Sequence, residues 1–226
     1  MPANRVLPSV VASSEVRRRL MLGAAALPLA ASLPAVAQPA PTEGREYRRV
    51  DPPQPVSTPA GKIEVLDFFW YGCPHCFEWL PTFEAWVARK PADVVIKRAP
   101  VAFDPRAEIH TRLYYALEAL GEADRLHDTV FNAMHRDHVV LNTPDAIADF
   151  IARQGIDKKK WTDTFNSFGV QARTQNQRRV VDAWKIDGTP SVGLGGRFLT
   201  APSMAGSREA TVRTMDFVLD RLRSGR

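Results

Sequence analysis

The sequence predicts an α/β protein, a sheet-centred domain interrupted by an all-helical insertion. Three observations carry this. The run from Ile63 to Tyr71 is too continuously apolar and aromatic for a strand with one solvated face, so it reads as a central buried strand. From Glu108 to Trp184 the apolar residues recur at helical spacing and no strand pattern intervenes. Ser191 to Leu199 then reads as a tight hairpin about Gly195-Gly196, followed by a helix with Val212, Met215, Val218, Leu219 and Leu222 on one face.

Along the chain, Tyr47–Val50 predicts a short edge strand, and the Pro-rich stretch from Asp51 to Gly61 an irregular crossing. Gly72 ends the central strand. Phe77, Leu80, Phe83, Trp86 and Val87 continue as a helix, with Pro74 suited to its first turn and Pro81 expected to kink it or end its first segment. Val94–Arg98 is a second strand. Within the helical block Thr143 predicts an N-cap with Pro144 behind it, and Lys158–Phe168 and Gly169–Trp184 are further helices. The expected organisation is a targeting segment over 1–37, the sheet domain's first part with its tether over 38–106, the insertion over 107–184 and the sheet domain's second part over 185–226.

Composition narrows the class. Hydrophobic residues make up 45% and charged residues 24%, which excludes a disordered polyampholyte and a polytopic membrane protein. The net charge of +5 comes largely from the N-terminus, because without residues 1–37 the chain carries 26 basic against 24 acidic side chains. There is no phosphate-cradling glycine loop and no basic-aromatic stripe, so no nucleic-acid partner is expected. Arg17-Arg18-Arg19, an uncharged run from Leu20 and the ending Ala35-Val36-Ala37 predict a secretory signal cleaved after Ala37, an uncleaved anchor being the alternative. The adjacent arginines leave the general and twin-arginine export routes open. Either route leads to an oxidising compartment.

The chemistry sits in Cys73-Pro74-His75-Cys76, which holds both cysteines of the chain at the junction of a strand and a helix. Thiols at i and i+3 on a first helical turn can close a disulfide without large backbone movement. Cys73 at the helix N-terminus is placed for stabilisation as a thiolate by unpaired N–H groups and the macrodipole. Cys76, one turn in, is placed to attack the Cys73 sulfur, and His75 to stabilise the thiolate by charge or hydrogen bonding. A static disulfide would close a loop too short to stabilise the chain much, and a metal site lacks further ligands at finger spacing, the nearest paired histidines being His135 and His138. Gly188-Thr189-Pro190, directly before the hairpin, makes Pro190 a candidate cis proline that turns Thr189 toward the redox loop. A trans proline at a strand start is the alternative.

Phe69-Trp70-Tyr71-Gly72-Cys73-Pro74-His75-Cys76 together with Gly188-Thr189-Pro190 resembles the DsbA-type thiol:disulfide oxidoreductases of the bacterial periplasm. The resemblance covers roughly Arg45 to the end. It implies a thioredoxin-like fold with an inserted all-helical subdomain, and a dithiol oxidase that donates its disulfide to newly exported, unfolded proteins with free cysteines. It implies Cys73 as nucleophile, Cys76 as resolving thiol, Pro74 and His75 as tuners of the redox poise, and Thr189 with Pro190 as the cis-proline pair. Asp67, six residues before Cys73, matches the family's buried proton relay, with Lys97 as its expected partner across the sheet or, alternatively, in an ordinary strand-end pair. The family's second acidic residue falls on Leu80, while Glu78 lies two residues earlier. The implied reoxidant is a quinone-coupled inner-membrane protein of the DsbB type, and the chain is expected to act as a monomer without cofactor or metal. Trp70, Phe77 and Trp79 are candidates for a shallow apolar client surface or for the core. A reductase or isomerase on the same fold and a non-enzymatic chaperone are the competing functions.

Overall fold

In the computed structural model, residues 39–225 are described, and the segment read as a signal over 1–37 lies outside them. The five strands are β1 (Tyr47–Arg49), β2 (Ile63–Phe69), β3 (Val94–Pro100), β4 (Ser191–Leu194) and β5 (Phe198–Thr200), arranged in the order β1-β5-β4-β2-β3. β3 is parallel to β2, and every other neighbour is antiparallel. β2 is buried on both faces, which explains its unbroken apolar run. Val65 packs beneath the helices α1 (Pro74–Arg89) and α8 (Arg208–Arg223), while Phe68 packs on Trp184 behind the sheet. β2 stops at Phe69, two residues before the expected end, and β3 runs two residues further than expected, where the Val101 N–H donates to the Phe69 carbonyl at 2.7 Å.

α1 runs through Pro81 to Arg89 as one helix. Pro81 removes one backbone donor, a cost of about 3 kcal/mol in a helix interior. Leu80, Phe83 and Trp86 are all buried around it, at about 1.5–3 kcal/mol each, so packing outweighs the missing bond. The Trp86 indole also donates to Asp216 of α8 at 2.8 Å.

Between β3 and β4 lie α2 (Pro105–Ala119), α3 (Ala123–His135), α4 (Pro144–Arg153), α5 (Lys158–Phe165) and α6 (Phe168–Ala183). α2 begins at Pro105, earlier than the apolar period indicates, because the Asp104 carboxylate caps the Ala107 N–H at 3.0 Å. Thr143 caps α4. Ser167 caps α6, which moves the α5–α6 break to Asn166-Ser167. The insertion's core residues, Leu113, Leu126, Phe131 and Trp161 among them, belong to the same cluster as Phe69, Tyr71 and Cys76. The helices therefore build one wall of the redox loop.

The β4–β5 turn uses Gly195 and Gly196 at φ 58° and 69°, the left-handed pair that a two-residue hairpin needs. A Cβ on Gly196 would come within 2.2 Å of the Gln54 carbonyl oxygen, so the Pro-rich crossing also requires glycine there. A short helix that the apolar pattern does not reveal, α7 (Pro202–Ala205), precedes α8.

Candidate active site

The loop after β2 is built by small, exact contacts. The Cys73 N–H donates to the Trp70 carbonyl at 2.9 Å, closing a turn over Tyr71-Gly72. Gly72 is required there, since a Cβ would lie 2.5 Å from the Trp70 ring. Cys73 is the N-cap of α1, extended at φ −87° and ψ 115°, and Pro74 opens the helix. The Cys73 carbonyl accepts from the Cys76 and Phe77 N–H groups at 3.1 and 3.2 Å. Both thiols are reduced and buried, with 7% exposure at Cys73 and 2% at Cys76. The Thr189–Pro190 peptide is cis, and the Thr189 carbonyl accepts from the Cys73 thiol at 3.3 Å. Cys73, Pro74, Cys76 and Thr189-Pro190 are thus brought together.

The two thiols are driven apart electrostatically. Cys73 is pulled down to about 5, chiefly by hydrogen bonding from the Cys76 thiol. Burial opposes this, and the Thr189 side chain and the backbone N–H groups of Cys76 and His75 assist it. The Thr189 carbonyl works the other way, because it accepts only from the protonated sulfur. Cys76 is pushed well up by burial and then by the neighbouring Cys73. One thiolate beside one thiol is the resulting pair.

The His75 ring stands 76% exposed, with Nδ1 3.8 Å from Glu78 Oε2, and the His75 backbone N–H hydrogen-bonds Cys73. Glu78 also accepts from Arg208 at 3.1 Å.

Asp67 is 3% exposed on β2 and is raised to about 7 by burial, against the pull of Arg98 and of the Trp79 indole N–H and with a further push from Glu84. Lys97 is not its partner. In the parallel register Asp67 pairs with Arg98 and Leu66 with Lys97, so Lys97 points to the opposite face, where it meets Glu64 at 2.8 Å. Among the three aromatic candidates, Trp79 is core at 2% exposure, while Trp70 and Phe77 are half-buried. Leu80 is buried.

This arrangement, a buried dithiol split into thiolate and thiol beside a cis proline, is chemically suited to thiol–disulfide exchange. Among the described residues no group of three or more His, Cys, Asp or Glu is arranged to hold a metal ion. The chain is 44% identical over 193 residues to the thiol:disulfide interchange protein DsbA of Burkholderia cepacia, covering 85% of this chain and 91% of that one. This chain belongs to the DsbA family. DsbA of Pseudomonas aeruginosa is 37% identical over 81% of this chain and 86% of its own. A crystal structure of P. aeruginosa DsbA superposes with a TM-score of 0.77 at 36% identity, covering 81% of this chain and 95% of that one. DsbA from Xylella fastidiosa gives 0.76 at 32%, covering 81% and 98%. The family model for the DSBA-like thioredoxin domain matches residues 107–211, a segment that excludes the two cysteines. The enzyme is a thiol:disulfide oxidoreductase acting on proteins.

In this DsbA-family chain three histidines tie the insertion to the redox loop, of which motif reading names only His135, and that one only as a metal candidate. The Trp70 indole donates to His110 Nδ1 at 2.9 Å, which leaves the proton on Nε2, and that nitrogen donates to the Leu141 carbonyl at 2.9 Å. His127 Nδ1 lies 3.1 Å from the Tyr71 hydroxyl. His135 Nε2 donates to the Tyr71 carbonyl at 2.7 Å, and its ring stacks on Phe77. Burial lowers the proton affinity of His110, and that of His127 strongly. No local sequence signal marks these contacts, since the partners are 31 to 64 positions apart.

Proposed function

We propose that this enzyme works as a dithiol oxidase in the periplasm, donating the Cys73–Cys76 disulfide to newly exported, unfolded proteins with free cysteines. The observation that carries this direction is the split between Cys73 at about 5 and Cys76 pushed well up. A client thiolate attacks Cys73 Sγ, the Cys73–Cys76 bond breaks, and Cys76 leaves and takes a proton from the Asp67 carboxyl. The client's second thiolate then attacks the client sulfur of the mixed disulfide and expels Cys73 as a stabilised thiolate. The client loses two electrons and the enzyme gains them. The low proton affinity of Cys73 makes it a good leaving group and favours the reduced enzyme.

Thr189 and Pro190 flank the mixed disulfide, and the backbone of the Cys73–Cys76 turn fixes its geometry. The half-buried Trp70 and Phe77 border the loop as the apolar part of the client surface. The enzyme acts as a monomer and is reoxidised by a quinone-coupled inner-membrane protein of the DsbB type. The leader ending at Ala37 supports export, and among the described residues no helix is long and apolar enough to cross a membrane.

The test is the equilibrium potential of the Cys73–Cys76 pair in glutathione buffers at pH 7. A value of about −120 mV, DsbA's own figure and quoted for scale, supports the donor role. A value of about −270 mV, that of thioredoxin, overturns it in favour of a reductase. Cys73→Ser abolishes exchange. Assistance to cysteine-free clients surviving in that variant would instead favour a chaperone.

A further inference from the structure

We propose that Glu84, acting through Arg98, is the positioning residue that sets the charge on Asp67. The argument starts from the parallel register, which places Arg98 opposite Asp67 on the same face of the sheet. A guanidinium there would ordinarily close on the carboxylate as a two-pronged pair. It does not, because both terminal nitrogens are engaged elsewhere. Nη2 donates to Glu84 Oε1 at 2.7 Å and Nη1 to Asp124 Oδ1 at 3.1 Å. Among the described residues Asp67 makes no ion pair, and Asp67 Oδ1 and Arg98 Nε are both buried without a hydrogen-bond partner.

Glu84 therefore acts on Asp67 twice with one sign. It holds the nearest cation away, and it adds a negative charge of its own. The charged groups facing Asp67 are Arg98 from β3 and Glu84 from α1. β4 presents Val192 opposite Asp67, without charge. Tyr114, Asp124 and His127 from the insertion act on Arg98 instead. Leu80, one turn before Glu84 on α1, is apolar.

The consequence for the reaction rests on the reading that Asp67 exchanges a proton with Cys76. When the client thiolate opens the Cys73–Cys76 bond, the electron pair stays on Cys76 Sγ and the Asp67 carboxyl supplies the proton. In reverse, the Asp67 carboxylate takes the Cys76 proton, and the freed sulfur attacks Cys73 Sγ and expels the client thiolate. By keeping Asp67 protonated to higher pH, Glu84 favours the forward step.

The experiment is a titration of the Asp67 carboxyl carbon by ¹³C NMR in the reduced protein, comparing wild type with Glu84→Gln, Glu84→Asp and Arg98→Gln. Glu84 is 31% exposed, so its amide isostere folds. Wild type is expected to titrate at about 7. Glu84→Gln lowers the midpoint by about one pH unit, which raises the carboxylate fraction at pH 6 about fivefold. Glu84→Asp restores most of it, and Arg98→Gln moves it upward. A Glu84→Gln midpoint within about 0.2 units of wild type, or a downward move in Arg98→Gln, overturns the proposal.

The rate of Cys76 attack on a Cys73–glutathione mixed disulfide is followed against pH in the same proteins. If the midpoint moves and the rate profile does not, Glu84 keeps its role and the assignment of Asp67 to Cys76 falls. If the midpoint stays while Asp67→Asn still alters the profile, the Glu84 proposal fails and that assignment stands.

Discussion

Lowering the pH from 7 to 4 should erode the stability of the reduced enzyme relative to the oxidised one by about 2–3 kcal/mol. The thiolate of Cys73 is the cause. Its proton affinity falls from the free value of 9.0 to about 5 in the fold. A depressed value stabilises the fold fully above the unfolded value, and the stabilisation is lost as pH falls through the folded one. At pH 7 two of the four available pH units have accrued, which is about 2.7 kcal/mol at 1.36 kcal/mol per unit. Solvent screening at the rim of the loop trims this. The oxidised protein has no thiol, so the effect appears only in the reduced form. Through the thermodynamic cycle the same energy makes the disulfide more oxidising by about 60 mV. The buried Asp67 titrates over the same range, but in both redox forms, and so largely cancels in the difference. The assay is urea unfolding of both forms at pH 4, 5, 6 and 7, repeated in Asp67→Asn. A gap that stays flat from pH 4 to 7 in both backgrounds would refute the reasoning, since Cys73 could then not titrate near 5.

Asp67→Asn should stabilise the protein at pH 7 by about 3–4 kcal/mol and have almost no effect at pH 4. The Asp67 carboxyl is raised from 3.8 to about 7, so its favourable contribution is complete below the unfolded value and is lost as pH rises through the folded one. Equal stability of the two proteins at both pH values in denaturant unfolding would show that the carboxylate is not penalised by burial. Lys97→Met should cost about 2 kcal/mol, because Glu64 is 4% exposed and would keep only Ser57 as a partner. A loss below about 0.5 kcal/mol would place this pair among ordinary surface bridges.

The redox centre is legible in the sequence because its parts are contiguous. Cys73 to Cys76 and Thr189-Pro190 each declare their geometry within four residues, and the strand before and helix after them follow from periodicity. The Asp67 partner is not legible. Val94, Val95 and Ile96 are all apolar, so β3 shows no alternation from which to assign Lys97 and Arg98 to faces. Only the register with β2 decides it. Pro81 does not end the helix, because a local propensity is outweighed by tertiary packing of Leu80, Phe83 and Trp86. The direction of the His75 ring is not legible either, because motif position does not fix where a ring on an exposed turn will point. The three histidines stay hidden because their partners are set by how the insertion folds back over β2.

Those histidines bear on how such a protein can diverge. The insertion's inner rim shares hydrogen bonds with Trp70 and Tyr71, in the loop that leads from β2 into the cysteines. A helical cap grafted from an unrelated protein would arrive without acceptors for the Trp70 indole or donors for the Tyr71 carbonyl. The cap and the redox loop therefore form one hydrogen-bonded unit, and replacing the insertion alone would break the bonds at Trp70 and Tyr71.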